Sequence, residues 1–355
     1  MCFKAVLWTA YFFLFFIRLP YRCDIISEEK IYFFGALANV DESILQLNDI
    51  LEYDFEIKHT KFQNFLLLAS KKLNFFDLND IFELYLHNTM RQNLNLDADV
   101  FYVENSISVN DELSTADFAL KYHDFNELVS DYLIDLLRSM RLFKEGNICI
   151  SYCFYYIFSE GKEIKLSPFP EMDSWIFIDP YILNKNEIND LKKFVNDLNI
   201  NFEEKSLKLA FENFENSYEL QNFNLQFLSL INALEVLLKD SSVKSEITYR
   251  LSRNAAILLG TNNETSNEID KQIKNLYDIR SYIVHSGEPK IKTGRKSKKL
   301  TEDGFNNFLN QLRDYVMNSI IEMYFAIKNT GKNKDDILKI LHRLGFDEKR
   351  PWRTN

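Results

Sequence analysis

After about Asn201 apolar residues recur every three or four positions, the spacing of amphipathic helices. Leu207, Ala210, Phe211 and Phe214 mark a first stripe. Phe227, Leu230, Ile231, Leu234, Leu237 and Leu238 mark a second. Ile247, Leu251, Ala255 and Leu258 mark a third, stopped by Gly260. Thr265-Ser266-Asn267-Glu268 has the form of a capping box and predicts the start of a fourth helix. Ile269, Ile273, Leu276 and Ile283 lie on its apolar side, and Gly287 with Pro289 ends it. A fifth helix is predicted over residues 302–328, and a short last one holds Ile337, Ile340 and Leu341. Residues 201–350 therefore read as an all-α helical bundle, long enough to be a domain.

The pattern before residue 201 is mixed and reads as an α+β domain over residues 1–200. Residues 31–36 and 55–57 read as strands, and residues 65–69 as a buried strand or helix piece. Leu128, Tyr132, Leu133, Leu136 and Leu137 have helical spacing within residues 125–142, and Glu145-Gly146 stops that helix. Residues 148–158 form a dense β-branched and aromatic run, followed by a hairpin-like turn at 159–162 and a returning strand at 164–166. Ser167-Pro168-Phe169-Pro170 reads as a loop, 175–178 as a short strand and 188–198 as a helix.

The chain has 355 residues, 46% hydrophobic and 26% charged, enough to bury a core and unlike a disordered tail. Its net charge of −10 excludes a general nucleic-acid coat, so an RNA or DNA site must be a local basic patch. Four cysteines (Cys2, Cys23, Cys149 and Cys153) and five histidines make neither a disulfide framework nor a zinc set. They fit reduced thiols in a cytoplasmic protein that uses no metal and no cofactor. No Walker A loop, G-x-G-x-x-G or H-E-x-x-H string is present. Asp97-Ala98-Asp99 reads as surface, His123-Asp124 lacks partner histidines, and His59, His87 and His342 stand alone. Residues 5–17 are almost all apolar but too short to span a ~30 Å hydrocarbon core, and the bulky, basic 18–22 offers no cleavage site. A buried first element, a start-site artefact and a targeting segment remain open; membrane association is not expected.

The chemistry lies on the fourth predicted helix, in Arg280-Ser281-Tyr282-Ile283-Val284-His285, an R-x4-H spacing. Arg280 falls at a position of the apolar stripe and needs a partner there; Glu235 and Glu246 are the candidate carboxylates. His285 is in the last turn, where free carbonyls attract a cation. An arginine that holds phosphate oxygens and a histidine that moves protons suit phosphate chemistry. A basic stretch follows, with Lys290, Lys292, Arg295, Lys296, Lys298 and Lys299 in a predicted loop, a field that would attract a phosphate backbone.

Three segments resemble the Apea-like HEPN family. They are Asn232-Ala233-Leu234-Glu235, the run from Arg250 to Gly260, and Leu276-Tyr277-Asp278-Ile279-Arg280-Ser281-Tyr282-Ile283-Val284-His285-Ser286-Gly287. The resemblance covers about residues 201–344. It implies a HEPN-type bundle in which Arg280 and His285 form the catalytic pair of a metal-independent endoribonuclease, a hydrolase built from two protomers. Ser281, where the wider superfamily often has Asn, Asp or His, and Glu235 take supporting roles. The implied protein is an RNA-binding toxin or antiviral defence effector, a homodimer through its helical domain with no stable DNA binding. The alternative is an inactive HEPN module that dimerises and binds RNA or a protein partner.

Overall fold

The apolar run at residues 31–36 lies in the central strand of a five-stranded antiparallel sheet. The computed structural model describes residues 29–61, 64, 99–109, 115–158, 166–169, 180–239, 246–294, 296–348 and 350–352. Its strands are β1 (Glu29–Ala38), β2 (Glu56–Lys61), β3 (Asp99–Val109), β4 (Cys149–Phe158) and β5 (Leu166–Phe169), in the order β2-β3-β1-β4-β5. β1 is apolar on both faces because both are covered: Ile31, Phe33 and Leu37 enter the main core, while Phe34 and Ala36 are buried on the other side. Helices α1 (Thr115–Leu128) and α2 (Asp135–Phe143) run on through a single π-helical stretch, Val129–Ile134. Leu133, Leu136, Leu137 and Met140 lie in the same core as Ile31 and Phe33. Helix α3 (Ile188–Asp197) adds Ile188 and Leu191.

Three sequence expectations are corrected here. Residues 167–169 belong to β5 rather than a loop, because β5 is an edge strand and an edge tolerates Pro168. β3 has no counterpart in the predicted elements, and the helix at 125–142 begins ten residues earlier, at Thr115. Residues 5–17, 65–69, 159–162 and 175–178, together with His87, lie outside the described residues.

Beyond residue 201 six helices follow, α4 (Lys205–Glu219), α5 (Phe223–Leu238), α6 (Ile247–Leu259), α7 (Asn263–Ser286), α8 (Glu302–Thr330) and α9 (Lys334–Arg343), with a short hairpin between α7 and α8, counted among the described residues. Their apolar stripes meet in a second core that includes Phe214, Phe227, Leu234, Leu258, Leu276, Leu312 and Leu341. α7 starts at Asn263, not at Thr265. Asn262 Oδ1 accepts from Thr265 N at 2.9 Å and Thr265 Oγ1 accepts from Asn262 N at 3.1 Å, so Thr265 is the third helical residue of the box. Gly287 ends α7 with φ of 71°, a left-handed conformation that glycine adopts without steric cost.

The two cores are joined by buried charges. Arg141 of α2 donates to Glu215 Oε2 of α4 at 2.7 Å, and Arg138 Nε lies 3.5 Å from the same oxygen. Burial pushes the Glu215 carboxyl up, opposed by Arg141 and Arg138. Removing either partner of such a pair leaves an uncompensated charge in the interior. The Arg141 and Arg313 guanidiniums both lie over the buried Tyr218 ring, at 5.3 and 4.9 Å from its centroid.

Candidate functional site

The buried stripe of α7 is Ile273, Leu276, Ile279 and Ile283. Arg280 flanks that stripe instead of lying on it, and its side chain is 31% exposed. Its carboxylate neighbour is Glu235 of α5, with Arg280 Nη2 4.0 Å from Oε1, while Glu246 is exposed at the start of α6. Tyr277, three residues before Arg280, donates its hydroxyl to the same Glu235 Oε1 at 3.0 Å. Its ring lies under the guanidinium, 5.6 Å from ring centroid to Arg280 Cζ. Arg280 Nε is buried with no hydrogen-bond partner. Burial and the Glu235 carboxylate push the Tyr277 phenol up, so it stays protonated and donates.

His285 is exposed in the last turn of α7 and makes no ion pair among the described residues. Five residues separate it from Arg280, which on an α-helix is about 140° around and about 7.5 Å along the axis. The two side chains therefore leave the helix on different sides. Ser281 is half-buried beside Arg280. The carbonyl of Gly287, just past the helix end, accepts from Asn224 Nδ2 of α5 at 3.1 Å, which ties the end of α7 to the first turn of α5. Val284 and Leu225, 50% and 51% exposed, supply apolar surface at this end of the bundle.

The basic stretch predicted as a loop is a β-hairpin, β6 (Lys290–Thr293) and β7 (Lys296–Lys299). Gly294, with φ of 65°, lies in its turn, and Arg295 lies outside the described residues. Lys290 pairs across the hairpin with Lys299, and Lys292 with Ser297, so these four share one face. That face is neutralised in part. Lys292 Nζ lies 2.9 Å from Asp278 of α7, and Glu288 holds Lys290 at 3.1 Å and Lys299 at 2.8 Å. The two lysines in turn hold the exposed Glu288 carboxyl below the usual carboxylate range. Lys296 and Lys298 are exposed on the opposite face.

The other candidates fall away from this end. Asp99 accepts from His59 and Lys61, both at 2.7 Å, on the exposed edge of the sheet, and His59 stacks on Phe101. His123 pairs with Glu127 at 3.3 Å on α1, and Cys149 is half-buried in β4. Among the described residues no group of three His, Cys, Asp or Glu could hold a metal ion, and no helix is long and apolar enough to cross a membrane. Sequence reasoning missed Tyr277 and Asn224. The first was detectable, since an aromatic three residues from an arginine on a helix shares its face. Asn224 carries no such signal, because its bond to Gly287 depends on how α5 meets α7.

Comparison of the chain with protein-family models, with curated proteins and with solved structures found no match.

Proposed function

We propose that the chain is a metal-independent RNA endonuclease of the HEPN type, a toxin or antiviral defence effector acting in the cytoplasm as a homodimer. The observation that carries this reading is the end of α7. A half-buried arginine and an exposed histidine occur there five residues apart, beside a lysine hairpin in a chain of net charge −10. The resemblance of residues 201–344 to the Apea-like HEPN family supports the same assignment.

In this mechanism the 2′-hydroxyl of one nucleotide attacks the adjacent phosphate. His285 takes the hydroxyl proton or gives one to the leaving 5′-oxygen, and Arg280 neutralises the charge on the pentavalent phosphorus centre. The products are a 2′,3′-cyclic phosphate and a 5′-hydroxyl. DNA, lacking the 2′-hydroxyl, is not cut. Because Arg280 and His285 diverge on one helix, two copies of α7 related by a two-fold axis supply the site, the arginine of one protomer working with the histidine of its partner. The exposed Val284 and Leu225 favour such an interface. Lys296 and Lys298 guide the RNA backbone, and the α+β half senses or selects the target.

A second reading is favoured by the 4.0 Å approach of Glu235 to Arg280, which partly neutralises the cation: a HEPN module that dimerises and binds RNA or a protein without cutting. Incubation of purified protein with total RNA, with and without EDTA, separates the two. Cleavage under both conditions, leaving cyclic phosphate ends, is the expected result; RNA retained but intact points to the binding module.

A further inference from the structure

Tyr277 and Arg280 compete for one oxygen. The Tyr277 hydroxyl donates to Glu235 Oε1 at 3.0 Å, and Arg280 Nη2 lies 4.0 Å from that same Oε1, outside hydrogen-bond reach. An arginine and a carboxylate left to themselves close into a shorter, bidentate pair. Here the phenol engages one lone pair of that oxygen, and the guanidinium lies over the phenol ring, 5.6 Å from its centroid, with Nε unpartnered. Tyr277 and Arg280 are one helical turn apart on α7, whereas Glu235 reaches them from α5, so the arrangement is set by the packing of two helices.

We propose that Tyr277 is a positioning residue for Arg280: its hydroxyl holds the Glu235 carboxylate and its ring holds the guanidinium, and together they disfavour a closed ion pair and keep the guanidinium open toward an RNA phosphate. The proposal rests on the reading of Arg280 as the phosphate-binding group. Glu235 then serves as a distant counter-charge that keeps the arginine in place without consuming its donors. Losing the hydroxyl releases Oε1, and Arg280 collapses onto Glu235.

The test compares the parent protein with Tyr277→Phe, Glu235→Gln and the double variant, each confirmed to be folded by circular dichroism. Cleavage of a single-stranded RNA oligonucleotide and its binding affinity are both measured. Tyr277→Phe should lower kcat about tenfold, because an arginine locked to a carboxylate stabilises less transition-state charge. The double variant should recover most of that loss, because a neutral amide in place of the Glu235 carboxylate would offer no charge to capture Arg280. A tyrosine that only packs would give no such recovery. Parent-like cleavage by Tyr277→Phe, or a double variant as slow as the single one, overturns the proposal. If the parent binds the oligonucleotide without cutting it, the ribonuclease reading falls. Affinity then judges the positioning role: weaker binding by Tyr277→Phe, restored in the double variant, upholds it, and equal affinities overturn it.

Discussion

Arg280 and His285 share the last two turns of α7 at positions about 140° apart around the helix, one half-buried against α5 and the other exposed. The function we propose places both at one phosphate by drawing on two chains. Mixing Arg280→Ala and His285→Ala proteins makes a direct test. In a mixed dimer one composite site lacks both groups and the other keeps both. Each variant alone should cut RNA at least ~10²-fold more slowly than the parent. The mixture should regain a substantial fraction of parent activity, up to about a quarter when subunits exchange at random, since half the dimers are mixed and carry one intact site of two. No recovery after verified subunit exchange would mean that the site lies within one protomer.

The lysine hairpin should govern binding more than chemistry. Lys296 and Lys298 are exposed on the face of the hairpin opposite Lys290, Lys292 and Lys299, so a ligand on that face meets these two lysines. Changing both to Ala should reduce the slope of log affinity against log salt by roughly 1–2, since each phosphate contact on single-stranded nucleic acid contributes about 0.7. Turnover at saturating RNA should change little. An unchanged salt slope would remove the hairpin from the RNA path.

The junction between the two cores predicts a pH effect on stability. Burial, with Glu145 adding repulsion and Arg313 opposing both, pushes the Asp314 carboxyl up to about 6 from its ordinary 3.8. A raised carboxylate pKa means the folded state binds more protons than the unfolded one between those values, so this group costs stability progressively as pH rises from about 4 to 6. Above pH 6 the cost is complete. Asp314→Asn removes it and should raise Tm by roughly 2–4 °C at pH 8, a gain on the order of 1 kcal/mol once solvent screening of this half-buried group is counted. The gain should shrink toward pH 4.5. An equal shift at both pH values would attribute the change to packing instead of charge.

The helical half was legible because its stripes are regular and its ends carry caps, as at Asn262, Gly287 and the Thr301 that caps α8. The start of α7 is misplaced, since Asn262 and Thr265 cap reciprocally and either can be read as the first residue. The sheet was harder. β3 carries Glu104-Asn105-Ser106 in its middle, and the buried Asn105 is satisfied by a bond to the carbonyl of Tyr53 at 2.6 Å, a contact no local pattern announces. The hairpin at 290–299 holds one apolar residue, Ile291; its backbone pairing and its lysine partners on Asp278 and Glu288 are tertiary facts. Arg280 and His285 were visible as a spacing, but the divergence of their side chains follows from helix geometry combined with the burial of Ile279 and Ile283.

In the function we propose, His285 moves a proton during RNA cleavage without help from a metal. The most direct measurement is cleavage of a single-stranded RNA by His285→Ala protein in EDTA, with the fold checked by circular dichroism and the dimer by sedimentation. His285 is exposed, so its removal should leave the fold intact. The expected result is parent activity untouched by EDTA and a variant slower by at least ~10²-fold. A folded, dimeric His285→Ala protein that cuts RNA at the parent rate would contradict the account.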